Sequence, residues 1–137
     1  MKSLLSTAVM LAALAALPAE AACTQAQLAG TWRLYFQGHY VAQDFAYACT
    51  LVIANTGVLS TASGCADTLN RTTPVTGSLK LTNAAYCDYT GKIVLKVGND
   101  INDFLRTTLS PDHNVMSGAV YDEVSTIGYA FTMVRAK

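Results

Sequence analysis

Apolar and polar side chains alternate along most of the chain after Cys23, and this period of two constrains the fold more than any other feature. In the first such run, Trp32, Leu34 and Phe36 share one phase. Because successive side chains of a strand point to opposite faces, a period of two predicts strands with one buried face. Eight such runs follow one another, within residues 32–40, 45–53, 58–64, 78–82, 92–97, 102–109, 115–122 and 126–135.

Short, turn-rich connections separate the predicted strands, which favours sequential antiparallel pairing. The clearest turn signal is Asn55-Thr56-Gly57, which predicts a hairpin between the second and third strands. Closing the meander into a barrel would remove its exposed edges. The predicted fold is therefore all-β, an eight-stranded antiparallel up-and-down barrel, and a β-sandwich is the alternative. Five glycines within or directly before the runs fit the bends of a barrel: Gly38, Gly77, Gly91, Gly118 and Gly128.

The N-terminal segment predicts export. A basic start precedes the apolar run 4–17, and Pro18 ends this run before Ala19-Glu20-Ala21. This pattern is typical of a secretory signal peptide with an A-x-A cleavage site, and the run is short for a transmembrane helix. We predict a signal peptide over residues 1–22 and a single β-barrel domain over 23–137. The mature protein is expected to be secreted or periplasmic.

All four cysteines follow the predicted signal peptide. An even number of cysteines in an exported chain argues for two disulfides, with three connectivities open. We favour Cys49–Cys65, because these residues flank the predicted hairpin, and Cys23–Cys87 then follows by elimination. A zinc site is the alternative, but the chain has no C-x-x-C motif and its two histidines are not near any cysteine.

The charge balance limits the classes of partner. Nine basic and nine acidic residues give a net charge of zero. Since no basic stripe is present to collect phosphates, we expect no nucleic-acid partner. Polar residues interrupt the strand faces that an outer-membrane barrel would turn towards lipid, so we expect no membrane span in the mature chain.

The stretch LAGTWRLYF, residues 28–36, followed by a meander, resembles the opening of the lipocalins and their relatives in the calycin superfamily. The resemblance implies a small calycin-like barrel whose first strand begins with a G-x-W motif, here Gly30 and Trp32. It implies that the indole closes one end and that an arginine of the last strand, here Arg135, packs across it. A guanidinium in that place gains a cation–π contact and can bond nearby carbonyls. Trp32 is then a structural plug, and any binding function belongs to the opposite, open end.

Six aromatic residues are candidates for ligand binding. Tyrosine suits an apolar cavity that needs a few polar contacts, and the alternation directs these side chains to the barrel interior or its mouth. The candidates are Phe36, Tyr40, Phe45, Tyr47, Tyr89 and Tyr121. The alternative is that they fill the core and leave no cavity. Small residues either leave room for a ligand or fit the taper of the barrel: Ala46, Ala48, Ala62, Ala119 and Ala130.

The sequence offers no constellation for catalysis. His39 and His113 are far apart, and His113 lies in a Pro-Asp-His-Asn turn. Asp100 and Asp103 could offer oxygens to Ca²⁺, but clusters of Asn and Asp are ordinary turn chemistry. We therefore expect no enzyme activity, no catalytic residue, no metal and no cofactor.

These patterns lead to two hypotheses. The first is an exported barrel that binds a small apolar or amphipathic molecule within the barrel, without catalysis. The alternative is a module that binds another exported protein, such as a hydrolase inhibitor or a surface interaction factor, with a filled barrel and an exposed apolar or aromatic patch. An open interior would favour the first hypothesis, and a filled one the second.

Overall fold

The structure of the protein is a computed structural model that describes residues 22–40, 43–67, 69–95, 100–123 and 126–137. The predicted signal peptide lies outside the described residues, apart from Ala22, which is exposed.

Eight antiparallel strands close into a barrel in which consecutive strands pair and β1 pairs with β8. The prediction of an all-β, up-and-down barrel is therefore confirmed. At the closing seam, Trp32 is opposite Arg135 and Tyr35 is opposite Thr132. The strands are β1 Gly30–Tyr40, β2 Gln43–Ile53, β3 Gly64–Asp67, β4 Thr72–Asn83, β5 Asp88–Leu95, β6 Asp100–Leu109, β7 Val115–Asp122 and β8 Ile127–Arg135.

The third strand does not occupy the predicted residues 58–64. After the turn that ends β2, the chain keeps contact with β2, because the Ser60 N–H donates to the Val52 carbonyl at 2.8 Å and Leu59 forms an antiparallel bridge with Ile53. The same segment also bonds to β4. The Leu59 N–H donates to the Gly77 carbonyl, and the Leu79 N–H donates to the Gly57 carbonyl, both at 2.9 Å. This segment buries Leu59 against the core, and the strand that pairs with β2 is the four-residue β3.

The core is the interior of the barrel. Alternate residues of each strand point inward, and the rings of Phe104 and Phe131 meet edge to face with centroids 4.7 Å apart. Close strand approach requires glycine at Gly118, where a Cβ would lie 2.1 Å from the Arg106 carbonyl oxygen. The fully or nearly fully buried large side chains include Trp32, Leu51, Leu79, Tyr89, Ile93, Met116 and Met133.

Two disulfides join Cys49 to Cys65 and Cys23 to Cys87, and both predicted pairings are confirmed. Cys49 and Cys65 are direct partners across β2 and β3. The second bond anchors the start of the described chain to the β4–β5 turn, where the Cys23 N–H donates to the Ala84 carbonyl at 2.9 Å. Loop-closure entropy assigns about 3 kcal/mol to the shorter loop and about 4 kcal/mol to the longer one.

A 3₁₀-helix, Gln25–Leu28, precedes β1 and packs on one end of the barrel. Leu28 is completely buried. The Gln25 amide donates to the Leu79 carbonyl at 3.1 Å and accepts the Leu81 N–H at 2.7 Å, so it bonds to β4 as a neighbouring strand would. The helix is thereby fixed to the sheet as a cover over the core.

Candidate ligand-binding site

Trp32 closes one end of the barrel. Its side chain is completely buried, and its Nε1–H donates to the Leu28 carbonyl at 2.8 Å. The guanidinium carbon of Arg135 lies 4.4 Å from the indole centroid, within the range of about 6 Å for a cation–π contact. The expected pairing of Trp32 with Arg135 is therefore confirmed.

Arg135 also links three segments of the chain by hydrogen bonds. Its Nε donates to the His113 carbonyl at 2.9 Å, and its two terminal nitrogens donate to the carbonyls of Gln27 and Ala29. The Arg135 guanidinium thus bonds to the 3₁₀-helix, to the start of β1 and to the β6–β7 turn. A planar guanidinium can satisfy three carbonyls at once, whereas an ammonium group lacks this fork geometry.

Gly30 is required by the position of Arg135. Its φ is +134°, and a Cβ there would lie 2.6 Å from Nη1 of Arg135. Both the backbone conformation and the close contact exclude a larger residue without rearrangement. Gly30, Trp32 and Arg135 therefore form one structural unit, which we call the plug.

Tyr89 belongs to this closed end of the barrel. It is completely buried, and its hydroxyl donates to the Thr24 carbonyl at 2.8 Å. Burial raises the pKa of the Tyr89 phenol. The expectation that Tyr89 lines a ligand cavity is thus not met: its hydroxyl is bonded to the segment that covers the barrel end.

Side chains fill the barrel interior. A cavity between described interior side chains of β1, β2, β5 and β6 measures about 10 Å³, which is at or below the roughly 10–15 Å³ that one water occupies. Phe36 stacks between Tyr47 and Tyr129, with centroid distances of 5.1 Å and 5.5 Å. These three rings pack against the buried core cluster. Phe36 and Tyr47 therefore agree with the alternative expectation, in which the aromatic side chains fill the core.

The remaining candidates do not join this stack. Tyr121 follows the buried Val120 on β7 and is opposite Asp103 and Gly128, so it lies on the outer wall. The side chains of Tyr40 and Phe45 lie outside the described residues. Among the described candidates, the structure brings together only Phe36 and Tyr47.

A groove of about 590 Å³ lies on the outer wall of the barrel across β8, β1, β2 and β3. We call it the outer-wall groove. One row of outward residues, in direct register, crosses it: Thr132, Tyr35, Ala48 and Ala66. With a strand spacing of about 4.8 Å, this row is roughly 14 Å long. The lining residues are Tyr35, Phe36, Gln37, Ala46, Tyr47, Ala48, Ala66, Asp67, Asn70, Ala130, Phe131 and Thr132.

Alanines make this wall concave, because they place little volume between the larger side chains. The exposed ring of Tyr35 stands beside them, with 58% of its surface accessible. Phe36 and Tyr47, two of the residues predicted to bind ligand, are also among the lining residues, although their rings stack against the core. Of the small residues singled out in the sequence, Ala46, Ala48 and Ala130 lie in the groove, whereas Ala62 and Ala119 are not among its lining residues.

Asp67 is the charged residue among the described lining of the groove. The guanidinium of Arg71 neutralises the charge of its carboxylate. Oδ1 accepts the backbone N–H groups of Leu69 and Arg71, both at 2.9 Å. Oδ2 lies 2.7 Å from Nε and 2.6 Å from Nη2 of the Arg71 side chain. The backbone N–H and guanidinium of Arg71 hold the pKa of Asp67 below its usual value.

Tyr35 lies between Leu34 and Phe36 and points to the opposite face of β1, so the alternation does not select it as an interior ligand-binding residue. Tyr129 and Phe131 were not selected either. The sequence does contain a pattern that identifies these two residues as inward-facing. Tyr129 and Phe131 share the phase of Arg135 on β8 and therefore point inward with it. Tyr35 is opposite Ala48, and an apolar cross-strand pair on the outward face is a sign of an exposed apolar surface.

Other titratable groups form exposed ion pairs. The Lys92 ammonium lies 2.5 Å from a Glu123 oxygen and 3.2 Å from an Asp103 oxygen, and hydrogen bonds to these carboxylates raise its pKa. Within the described residues, no group of three or more His, Cys, Asp or Glu side chains is placed to hold a metal. His113 lies in the β6–β7 turn with its carbonyl bonded to Arg135, and the side chain of His39 is outside the described residues.

The comparisons with known proteins return no match: no family model, no curated protein and no solved structure is similar to this chain. The calycin resemblance thus stays a prediction. In the part of the chain that the structure describes, no helix is both long and apolar enough to span a membrane.

Proposed function

We propose that this protein is an exported, non-catalytic binding protein that holds a small amphipathic molecule in the outer-wall groove. One observation carries the proposal: the groove is a concave, mostly apolar site of about 590 Å³ with a few polar groups at its edge. Small-molecule sites typically measure about 300–1,000 Å³ and have this kind of lining.

The groove supports this proposal better than the barrel interior does. A ligand within the barrel would need many times the 10 Å³ of the cavity between the described interior side chains. Opening such a space would require moving the stacked rings of Phe36, Tyr47 and Tyr129 out of a packed core. Cores at native packing density resist such changes.

Export is part of the same proposal. Two disulfides are compatible with an oxidising compartment, where such bonds persist. Together with the predicted signal peptide, they support a secreted or periplasmic location. The plug supports the further proposal of a divergent calycin-like barrel, because Gly30, Trp32 and Arg135 adopt the arrangement that the resemblance implies.

Fluorescence titration with the uncharged apolar probe N-phenyl-1-naphthylamine tests the function and its location. We expect the wild-type protein to bind the probe and Ala48→Arg to lose at least about tenfold in affinity, because the new side chain fills the centre of the groove. Ala48 is exposed, so the substitution should change stability by about 0.5 kcal/mol or less. Ala62→Arg, at an exposed turn outside the groove, is the matched control and should bind normally.

No binding by the wild-type protein would contradict the proposed function. Equal binding by wild type and Ala48→Arg would place the site elsewhere in the molecule. Far-ultraviolet circular dichroism of each variant shows that a change in affinity does not reflect unfolding.

A second candidate function, binding of another exported protein, is favoured by a different observation. Besides Tyr35, the outer wall exposes Val134 by 42% and Val115 by 36% on the neighbouring strands β8 and β7. Val115 and Val134 are direct partners in register, so these exposed apolar side chains adjoin the groove. Exposed apolar patches with an aromatic centre are common at protein interfaces.

A photo-crosslinking amino acid at Val134 tests this second candidate, with the same amino acid at Thr76, an exposed residue of β4 outside the groove, as the control. We expect one defined crosslinked partner at Val134 and none at Thr76. The same pattern of products at both positions would contradict a specific protein-binding surface.

A further inference from the structure

Resting on the proposed function, we infer that the outer-wall groove selects an uncharged molecule that combines a planar apolar part with hydrogen-bonding groups. The inference adds a charge preference to the site. It depends on how the one carboxylate among the described lining residues is bonded and on which polar groups of that lining remain for a ligand.

The Asp67 carboxylate is occupied by its own turn. Two backbone N–H groups and two nitrogens of Arg71 surround its oxygens at 2.6–2.9 Å. A cationic ligand would have to displace Arg71 to gain a full counter-charge. The Arg71 guanidinium is likewise held on Asp67, so it offers little to an anionic ligand.

The other polar side chains among the described lining residues are uncharged. Gln37, Asn70 and Thr132 can donate and accept hydrogen bonds at its edge. A charged ligand would lose hydration on entering without meeting a free counter-ion, and that loss disfavours binding. An uncharged ligand would meet amide and hydroxyl partners without this cost.

The apolar part of the groove favours a planar group. The Tyr35 ring is more than half exposed and is opposite Ala48 on β2 and Thr132 on β8. A flat ring that enters the groove can cover the alanines and pack against this tyrosine. Stacked or edge-to-face aromatic pairs add about 0.5–1.5 kcal/mol beyond the area that they bury.

Three naphthalene probes of similar size test the inference at neutral pH by isothermal titration calorimetry. They are 2-naphthol, which is uncharged, 2-naphthoate, which is an anion, and 2-naphthylmethylammonium, which is a cation. We expect the wild-type protein to bind 2-naphthol at least about tenfold more tightly than either ion, since burying an uncompensated charge costs more than 1.4 kcal/mol.

Removing the Arg71 guanidinium, which neutralises Asp67, should shift the preference of the groove towards the cationic probe. In Arg71→Met the Asp67 carboxylate keeps its backbone bonds and loses its counter-charge, so affinity for 2-naphthylmethylammonium should rise by about three- to tenfold. Arg106→Met is the matched control, because it removes a similar partner from Asp88, which does not line the groove. This control should leave all three affinities unchanged.

The outcomes separate the inference from the function on which it rests. Equal binding of the three probes, or no change in the Arg71→Met protein, would overturn the charge preference and leave the groove as a binding site. Binding of none of the probes by the wild-type protein would overturn both. Loss of 2-naphthol binding in Ala48→Arg, with binding kept in Ala62→Arg, assigns the preference to the groove.

Discussion

Replacing Arg135 by methionine tests the plug most severely. Methionine keeps much of the length and apolar surface of arginine but cannot donate a hydrogen bond or hold a charge. The Arg135→Met protein therefore loses the contact with the Trp32 ring and the three bonds to carbonyls. The barrel strands themselves remain intact.

The magnitude follows from the interactions that are lost. Hydrogen bonds to a charged group contribute about 1.5–3 kcal/mol each, and a partly buried cation–π contact about 0.5–2 kcal/mol. These values do not add, because water can reach some of the freed carbonyls and the contacts share one side chain. We expect Arg135→Met to lower the free energy of unfolding by about 3–5 kcal/mol, which is less than the sum of these contributions.

Urea denaturation followed by tryptophan fluorescence is the appropriate assay, because Trp32 is the single tryptophan and lies in the plug. Arg33→Met is the matched control: the same substitution on the exposed face of β1 should change stability by about 0.5 kcal/mol or less. Arg135→Lys retains the charge but not the fork geometry and should lie between them. A loss below about 1 kcal/mol in Arg135→Met, or one equal to that of Arg33→Met, would refute the role of the plug.

Three further predictions concern the plug, a disulfide and a turn. Gly30→Ala should cost about 1–3 kcal/mol in urea denaturation because of its positive φ and the arginine beside it, whereas Gly128→Ala, with its nearest neighbour 3.8 Å from the new Cβ, should cost little. Replacing the Cys23–Cys87 bond by two alanines should lower the free energy of unfolding by about 4 kcal/mol, and no change in denaturation midpoint would contradict this value. Since Arg71 lowers the pKa of Asp67, the stability that this pair contributes is present above pH 3.8 and is lost as the pH falls through the lowered value. Denaturation curves of wild type and Asp67→Asn should therefore converge in acid, and a constant difference would contradict the assignment.

The period of two was sufficient to predict most of the fold. It gave inward faces for β1 and β2 that agree with the burial of Trp32, Leu34 and Cys49, and short connections predicted the order of strands around the barrel. The cysteine pairing followed because Cys49 and Cys65 lie on consecutive strands. These features depend on short segments of sequence or on strands that follow one another in the chain. One amino-acid sequence is therefore sufficient to predict them.

The features that were missed depend on long-range contacts. Residues after Gly57 bond to β4 as well as to β2, and the turn signal alone could not reveal the contact with β4. Alternation assigns Tyr89 to the interior but not to a particular end of the barrel, which the bond to Thr24 decides. For Tyr121, both faces of β7 are partly apolar, so the period of two does not identify the inward one. The outer-wall groove was missed because it is formed by four strands together.

The binding site itself can be located by amide chemical shifts. In a titration of the isotope-labelled wild-type protein with 2-naphthol, we expect the largest shifts at the backbone amides of Tyr35, Ala48 and Ala66. The amides of the interior residues Ile93 and Val120 should shift little, since the cavity that these residues line, about 10 Å³, is too small for the probe. Shifts concentrated at the outer-wall groove are the result predicted here. Shifts concentrated at the interior residues, or none at saturating probe, would contradict binding at the outer wall.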